Sequence, residues 1–204
     1  MKKILVITTG GTIACGSREN GLNPEIGGQR LAEGLSPKNC EVRFLDLFSV
    51  DSTDISPSHW EKLNSKINSA KGFDGVIVLH GTDTLEYTAA ILSITARRDI
   101  PVIITGSMIP MEADGSDAPQ NLFDSFAAAC SEKLAGVHVV FCGRVVPGNL
   151  AVKRSTAADA FRCFSGEEYG HISGGAVSIL KETSFSKQLP FPREFAPVAI
   201  RKLT

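Results

Sequence analysis

Two short loops combine glycine with hydroxyl and carboxylate side chains, and each follows an apolar segment. Residues 9–14 (TGGTIA) come after residues 4–8, and residues 80–84 (HGTDT) come after residues 76–79. Glycine lets the backbone turn tightly and approach a ligand, so a threonine beside it can direct its hydroxyl into a crevice. A lone threonine after a glycine pair is more often a turn residue, so each loop alone leaves both roles open. The candidate nucleophiles are Thr12 and Thr82.

A hydroxyl needs a base to act as a nucleophile at neutral pH, and the usual base is histidine. His59 falls in a predicted helix and His138 in a predicted strand, so we interpret both as structural. His80 ends a strand close to Thr82, where a core histidine is the favoured interpretation and a base the other, and the sequence does not place His171. The alternative base is a lysine that desolvation makes neutral, beside a carboxylate that holds its ammonium form. Lys153 lies between apolar and small residues (NLAVKRST) and is the candidate. An exposed lysine on a short strand is the competing interpretation.

Asp83 has two compatible roles in the sequence. With Glu86 three residues later, it forms a capping-box pattern for the helix that follows. At the same helix N-terminus, next to a glycine turn, its carboxylate can also pair with the ammonium group of a ligand.

The signatures of several other enzyme classes are missing from the sequence. Neither G-x-G-x-x-G nor G-x-x-x-x-G-K-[ST] occurs, which disfavours nucleotide binding. There is no G-x-S-x-G elbow and no histidine spacing suited to a metal ion, which disfavours serine hydrolases and metal sites.

Apolar, β-rich segments alternate with helix-like segments along the chain. The alternation predicts βαβ units, and hence an α/β fold of three layers with a parallel sheet covered on both faces. Ser56 as N-cap and Pro57 at the first helical position mark the start of the clearest helix. The predicted strands cover residues 4–8, 42–47, 76–79, 102–105 and 137–141, and the predicted helices cover residues 57–73, 84–97 and 122–133.

Three segments lack this alternation. Residues 15–28 are rich in glycine, asparagine, serine and charge, and we expect a mobile loop there. After Cys142 the spacing shortens, which predicts short antiparallel strands. Residues 186–204 are typical of a linker-like tail, which leaves one domain at residues 1–185.

Ligands of open α/β sheets bind beyond the carboxyl ends of the strands, so the loops that follow strands are the candidate site. These loops are residues 9–14, 51–54 (DSTD), 80–84 and 106–108 (GSM).

Composition limits the partners of the chain. Its 204 residues carry a formal charge of −1, with acids and bases interspersed, so no basic face is available for nucleic acid. The first apolar run is too short for a signal peptide, and no segment approaches the length of a membrane span. Five cysteines without a C-x-x-C pair favour reduced thiols in the cytoplasm.

Taken together, the loops resemble the asparaginase and glutaminase family. TGGTIA at residues 9–14 matches its first signature, and LHGTDTLE at residues 79–86 is similar to its second almost letter for letter. The resemblance extends to about Leu180. Further segments similar to the family are residues 51–54, 106–110 (GSMIP), 116–122 (SDAPQNL) and 152–153.

The resemblance implies the family's N-terminal domain, which is flavodoxin- or Rossmann-like, with a short antiparallel hairpin near its C-terminal part. It implies an L-asparaginase in which Thr12 attacks the amide carbon of L-asparagine and forms a β-aspartyl enzyme, without a cofactor. Thr82, Asp83 and Lys153 would be its second hydroxyl, carboxylate and base. It also implies a homo-oligomer of the cytoplasmic type. The implied substrate-binding residues are Gly11, Asp51, Ser52, Thr53, Thr82, Asp83 and Ser107.

Two features depart from the family pattern. Leu22 stands near the place of a loop tyrosine that hydrogen-bonds the nucleophile, and Arg18 or Glu19 is expected to replace it in part. We also expect the family's C-terminal domain, which supplies an acid to a neighbouring subunit, to be absent. Three alternatives remain. The first is an amidase of L-glutamine or of an amidotransferase, whose substrate differs by one methylene in length. The second is a catalytically weak protein that binds aspartate or asparagine, and the third is an isolated domain of a longer protein.

Overall fold

The structure, a computed structural model, describes residues 1–18, 21–24, 27–31, 35–182 and 187–194. The strands are β1 (Lys2–Gly10), β2 (Cys15–Arg18), β3 (Gly21–Pro24), β4 (Cys40–Val50), β5 (Gly75–Leu79), β6 (Pro101–Thr105), β7 (Gly136–Phe141), β8 (Arg144–Pro147), β9 (Ala151–Lys153), β10 (Phe161–Cys163), β11 (Gly170–Ser173) and β12 (Ala176–Ile179). The α-helices are α1 (Gly28–Leu31), α2 (Pro57–Asn68), α3 (Leu85–Thr95) and α4 (Ala118–Ala129), and short 3₁₀ turns cover Thr12–Ala14 and Ser52–Asp54.

A mostly parallel sheet of eight strands organises the chain, in the order β12-β11-β8-β7-β6-β5-β1-β4. Five neighbouring strands, β7, β6, β5, β1 and β4, run parallel, and β8, β11 and β12 continue the sheet with antiparallel pairing. The predicted α/β fold is confirmed. The antiparallel part after Cys142 is confirmed too, and it includes the separate ribbon of β9 and β10.

Helices cover both faces of the sheet, which explains why its central strands are continuous apolar runs. Every residue of β5, β6 and β7 is buried. One core cluster joins the sheet to α2 and α3 through side chains such as Leu63 and Leu92. The other joins its opposite face to α4 through Leu122 and Phe126. Burial on both faces removes the alternation of apolar and polar residues that a half-exposed strand would show.

The start of α2 follows the prediction, whereas its end does not. Ser56 is the N-cap, Pro57 opens the helix, and the His59 ring accepts a hydrogen bond from the Ser56 backbone N–H at 3.1 Å. His59 therefore has the expected structural role. The helix ends at Asn68 rather than at residue 73, and Gly72 follows with a φ of 78°. A left-handed residue cannot continue a right-handed helix.

The segment after Cys15 differs from the irregular loop that the sequence predicts. Strands β2 and β3 pair in antiparallel register, from Cys15 opposite Pro24 to Arg18 opposite Gly21. Backbone N–H and C=O groups make such a ladder, so two polar strands can pair although the sequence has no apolar alternation that would predict them. Residues 19, 20, 25 and 26 lie outside the described part of the chain.

The described part of the C-terminal tail, residues 187–194, has neither helix nor strand. It is held to the end of α3, because Leu189 N donates to Ile94 O at 2.8 Å and the Gln188 amide donates to Thr95 O at 2.8 Å. The predicted boundary at residue 185 and the last ten residues fall outside the described residues. Within the described ranges, no helix combines the length and the apolar character that crossing a membrane requires.

Two phenylalanines of α4 that differ in burial provide a test of this layer arrangement. Phe126→Ala should lower the free energy of unfolding by about 3–5 kcal/mol, because the ring is fully buried between helix and sheet. Phe123, on the same helix, is 41% exposed, and Phe123→Ala should cost about 1 kcal/mol or less. Urea unfolding of both variants measures the difference. Equal losses would contradict the packing of α4.

Candidate active site

Three loops meet at the carboxyl edge of the sheet, after β1, β4 and β5. A Cβ added to Gly11 would lie 2.3 Å from the Cα of Gly81, and one added to Gly81 would lie 2.6 Å from the Oγ of Ser52. The backbones are therefore in direct contact, and at Gly11 only glycine leaves room for it. The contact brings the loops of Thr12, Ser52 and Thr82 together, as the sequence predicts for loops that follow neighbouring parallel strands.

Gly10 and Gly11 position Thr12 at the rim of the sheet. Both glycines have positive φ, 99° and 80°, which turns the chain sharply at the end of β1. The chain then enters the 3₁₀ turn Thr12–Ala14, whose Ile13 and Ala14 are buried. Thr12 itself stays partly exposed. The turn thus anchors its apolar residues in the core and leaves the threonine accessible.

Lys153 joins Thr82 and Asp83 into one hydrogen-bonded group. Its Nζ donates to Thr82 Oγ1 at 2.9 Å and to Asp83 Oδ1 at 2.7 Å. The Lys153 side chain is 17% exposed, Thr82 is buried, and the Asp83 side chain is 57% exposed. The structure therefore brings together three of the four predicted catalytic residues, with a lysine set between a buried hydroxyl and an accessible carboxylate.

Glu86 has a different role from the one that the sequence predicts. Helix α3 begins at Leu85 with Thr84 as its N-cap, and no side chain caps it. The capping-box interpretation of Asp83 and Glu86 is therefore wrong. The Asp83 carboxylate pairs with Lys153, and the Glu86 carboxylate accepts the backbone N–H of Lys153. Asp83 and Glu86 therefore make ionic and charge-assisted bonds to β9 instead of capping α3.

The loop of residues 51–54 contacts the same group through Ser52. The Ser52 Oγ accepts the backbone N–H of Asp83 at 3.2 Å, and Thr84 Oγ1 donates to Ser52 O at 2.7 Å. Asp51 accepts both the N–H and the hydroxyl of Thr53 at 2.8 Å, and the backbone bond first and the hydroxyl second lower the pKa of Asp51. Ser52 is thus tied to the Asp83 loop, while Asp51 and Thr53 orient each other.

The fourth loop holds its serine hydroxyl in an internal hydrogen bond. Ser107 is fully buried, and its hydroxyl donates to Ile109 O at 2.6 Å. A Cβ added to Gly106 would lie 3.7 Å from the Thr82 methyl group, so this loop packs beside the site. The hydroxyl donates inside the loop and keeps its acceptor capacity, so the role of Ser107 in substrate binding stays a prediction.

Two residues that sequence reasoning left without a role hold this loop in place. The Asp117 carboxylate accepts the backbone N–H groups of Met108 and Ile109, each at 3.0 Å. The buried Asn121 amide donates to Gly106 O and to Asp117, also at 3.0 Å. The signal was available, since an acid and an amide four residues apart lie on one face of a helix.

His80 is a core histidine, as expected. Its Nδ1 lies 2.7 Å from Gly81 O and its Nε2 lies 2.9 Å from Thr88 Oγ1, which accepts the Trp60 indole N–H at 2.8 Å. Because the indole only donates and the carbonyl only accepts, the Thr88 hydroxyl donates to Nε2 and Nδ1–H donates to Gly81. Burial lowers the pKa of His80 to about 4, so the ring is neutral and supports the glycine contact from behind.

Some predicted site features lie outside the described residues. Glu19 is one, and the side chains of Arg18 and Leu22 are others, so the replacement of the family tyrosine stays a prediction. In the ranges that the structure describes, no three His, Cys, Asp or Glu residues are grouped so that they could hold a metal ion.

Comparison with known proteins identifies the family. The model of the family described as "Asparaginase, N-terminal" matches residues 3–185. The chain belongs to this asparaginase family. It is 34% identical over 204 residues to an L-asparaginase from Bacillus licheniformis, which covers 94% of this chain and 63% of the relative. It is 32% identical over 183 residues to an L-asparaginase from Thermococcus kodakarensis, which covers 87% of this chain and 56% of the relative. The chain thus spans between half and two thirds of the length of these asparaginases.

Solved structures of asparaginases have the same fold. The thermostable L-asparaginase from Thermococcus kodakarensis superposes with a TM-score of 0.84 at 29% identity, covering 90% of this chain and 58% of that one. A probable cytoplasmic L-asparaginase from Campylobacter jejuni gives a TM-score of 0.83 at 29% identity, covering 93% and 61% of the two chains. The asparaginase N-terminal fold therefore accounts for nearly all described residues.

The glycine contact of the candidate site can be tested with a matched pair of substitutions. Gly11 and Gly72 have similar φ values of 80° and 78°, but an added Cβ meets the Gly81 backbone at Gly11 and nothing within 4 Å at Gly72. Gly11→Ala should therefore lower the free energy of unfolding by about 1–3 kcal/mol more than Gly72→Ala. Urea unfolding measures both. Equal losses would mean that the loops are not in contact.

The buried His80 predicts an acid-dependent loss of stability. Its folded pKa of about 4 is below the ordinary value of 6.5, so the unfolded chain binds the proton more readily. The stabilisation of the folded chain by the neutral His80 is complete above pH 6.5. It is lost as the pH falls towards 4, by on the order of 1 kcal/mol per pH unit. Urea unfolding from pH 7 to pH 5 measures the summed loss, because burial also lowers the pKa of His138 to about 4, and NMR titration of the His80 ring isolates its own part. A His80 resonance that titrates near pH 6.5 would contradict the buried network.

Proposed function

We propose that this chain is the amidase part of an L-asparaginase, which hydrolyses L-asparagine to L-aspartate and ammonia. The observation that carries the proposal is the Lys153, Thr82 and Asp83 group, set beside the loop of Thr12 in a chain of the asparaginase family. A hydroxyl, a lysine and a carboxylate in one hydrogen-bonded row suit a step that moves a proton.

In the first step, the Thr12 hydroxyl attacks the side-chain amide carbon of asparagine. The C–N bond breaks, ammonia leaves, and a β-aspartyl ester of Thr12 remains. The partial exposure of Thr12 at the sheet rim supports this role. In the second step, water attacks the ester, and aspartate and the free threonine are restored.

Lys153 takes up the proton that the Thr12 hydroxyl loses, through the hydroxyl of Thr82. As a neutral amine, Lys153 accepts along the same 2.9 Å line on which its ammonium form donates to Thr82 Oγ1. Asp83, at 2.7 Å from Nζ, stabilises the ammonium form that results. When the amide nitrogen leaves, the proton returns along this row, because ammonia is a better leaving group than its anion.

The surrounding loops suit an amino acid with two charged ends. The Asp83 carboxylate is more than half exposed, so it can pair with the ligand's α-ammonium while Lys153 holds its Oδ1 atom. Ser52 and its neighbours Asp51 and Thr53 would hold the α-carboxylate. The backbone of Gly11 and the loop of Ser107 would form the walls.

The same chemistry extends to partners and location. L-Glutamine is longer by one methylene, which a pocket discriminates only weakly, so we expect some glutamine turnover. We expect the protein to form homo-oligomers and to act in the cytoplasm without nucleic-acid or membrane partners. Similarity to the probable cytoplasmic L-asparaginase of Campylobacter jejuni supports the location.

Ammonia release tests the proposal directly. The purified 204-residue chain should release ammonia from L-asparagine, and Thr12→Ala or Thr82→Ala should each reduce kcat by at least about 1000-fold, because each removes a hydroxyl from the reacting row. A coupled ammonia assay with L-asparagine and L-glutamine measures both substrates.

Thr156→Ala is the matched control. Thr156 is an exposed threonine after β9, outside the row of reacting groups, so its variant should keep the activity of the parent chain. Absence of turnover, with L-aspartate still raising the melting temperature, would replace the enzyme by a binding protein. Turnover that survives Thr12→Ala would show that the nucleophile has been misassigned.

A further inference from the structure

Two cysteines from distant parts of the chain meet at the amino ends of the strands, opposite the carboxyl ends that carry the candidate site. Cys40 opens β4 and pairs in register with Lys2 of β1, and Cys130 caps the C-terminus of α4. Their sulfur atoms are 3.1 Å apart, although the residues are 90 positions apart in the chain. Both residues are partly buried, and both are free thiols.

Rigid elements hold both sulfur atoms in place. The backbone N–H of Cys130 donates to Phe126 O at 3.0 Å, which continues the helix up to the cysteine. A Cβ added to Gly75 would lie 2.4 Å from Ala129 O, so the end of α4 packs directly on the start of β5. The two thiols therefore meet through the packing of a helix on the sheet, and not through a chance loop conformation.

We propose that Cys40 and Cys130 form an oxidative modification site, at which a low-molecular-weight disulfide converts the two thiols into an intrachain disulfide. The separation of the sulfur atoms is only about 1 Å longer than a disulfide bond of ~2.05 Å, so small shifts close it. The proposal does not depend on amidase activity.

The reaction is a double thiol–disulfide exchange. The Cys40 thiolate attacks one sulfur of oxidised glutathione, and one glutathione thiolate leaves. Cys130 then releases its proton to solvent and attacks the Cys40 sulfur, and the second glutathione thiolate leaves. The two cysteines lose two electrons and two protons, and the oxidised glutathione is reduced to two molecules of the thiol.

The order of attack follows from the environment of Cys130. Burial first, and the hydrogen bond and charge of Cys40 next, raise the pKa of Cys130 to about 12, so this thiol stays protonated. Nearby Lys2 lowers this pKa, and Asp74 raises it. Once Cys40 is a mixed disulfide, it can no longer be an anion, so its contribution disappears when Cys130 must act as the nucleophile.

The other described cysteines lack this arrangement. Cys142 is exposed at the turn between β7 and β8, and the buried Cys163 has its sulfur 3.1 Å from Ser165 Oγ. Cys142 can therefore accept a mixed disulfide, but it has no described thiol beside it to complete the exchange. This difference makes Cys142 the matched control.

The disulfide would act as a staple between the first and last parts of the central fold. It closes a loop of 90 positions, which contains the Ser52, Thr82 and Ser107 loops. Constraining a loop of this length in the unfolded chain should raise the melting temperature by roughly 5–15 °C. The candidate site lies at the other ends of the strands, and the disulfide acts mainly by constraining the unfolded chain. Turnover should therefore change less than about twofold.

Peptide mapping tests the proposal without any activity assay. The reduced chain is incubated with oxidised glutathione, and intact mass under denaturing conditions should show the loss of two hydrogens per chain. Non-reducing digestion should yield one linked pair of peptides, containing Cys40 and Cys130. Titratable thiols in the unfolded parent chain, counted after correction for glutathione adducts, should fall from five to three.

Matched variants separate the pair from other thiols. Cys142→Ser should still form the linked peptides and show the rise in melting temperature, whereas Cys40→Ser and Cys130→Ser should each lose both. Glutathione adducts or linked dimers without the Cys40–Cys130 peptide pair would overturn the proposal. A linked chain that melts below the reduced one would also overturn it, because the bond would then distort the packing.

Discussion

Direct contact between the backbones of Gly11 and Gly81 sets the geometry on which the rest of the site depends. A side chain at Gly11 would separate the loops after β1 and β5, and with them Thr12 from Thr82. Ser52 closes against Gly81 from the third loop. The core histidine His80 then holds the Gly81 carbonyl from behind through its Nδ1. Glycine at these turns is therefore a requirement of distance between strands, and not only of turn conformation.

The second requirement is that a residue from the antiparallel part of the fold reaches this edge. Strand β9 carries Lys153 to Thr82 and Asp83, and Glu86 on α3 holds the strand through its backbone. Because Asp83 is largely exposed, solvent screens its ion pair with Lys153, which contributes little to folding stability. In this pair an accessible carboxylate keeps an ammonium group beside a buried hydroxyl, which is the arrangement that the proposed amidase step uses.

The two ends of the sheet have separate tasks. The carboxyl ends of the strands carry the loops of the candidate site, and their geometry depends on backbone contacts and on the hydrogen bonds of Asp117 and Asn121 to the fourth loop. The amino ends carry the close thiol pair of Cys40 and Cys130. A change at the amino ends can alter the stability of the chain without moving the loops at the carboxyl ends, because the rigid strands lie between them. This separation is typical of a fold that carries its chemistry on loops.

The sequence by itself determined the α/β alternation, the order of the loops and the candidate site groups, because burial on both faces and glycine turns leave local patterns. Only the tertiary structure decided that Lys153 reaches Asp83 from 70 positions away, that Glu86 binds β9 instead of capping α3, and that the Ser107 hydroxyl turns into its own loop. It also decided that polar β2 and β3 pair. Each of these depends on which distant partner competes best for one donor or acceptor, and local periodicity carries no record of that competition.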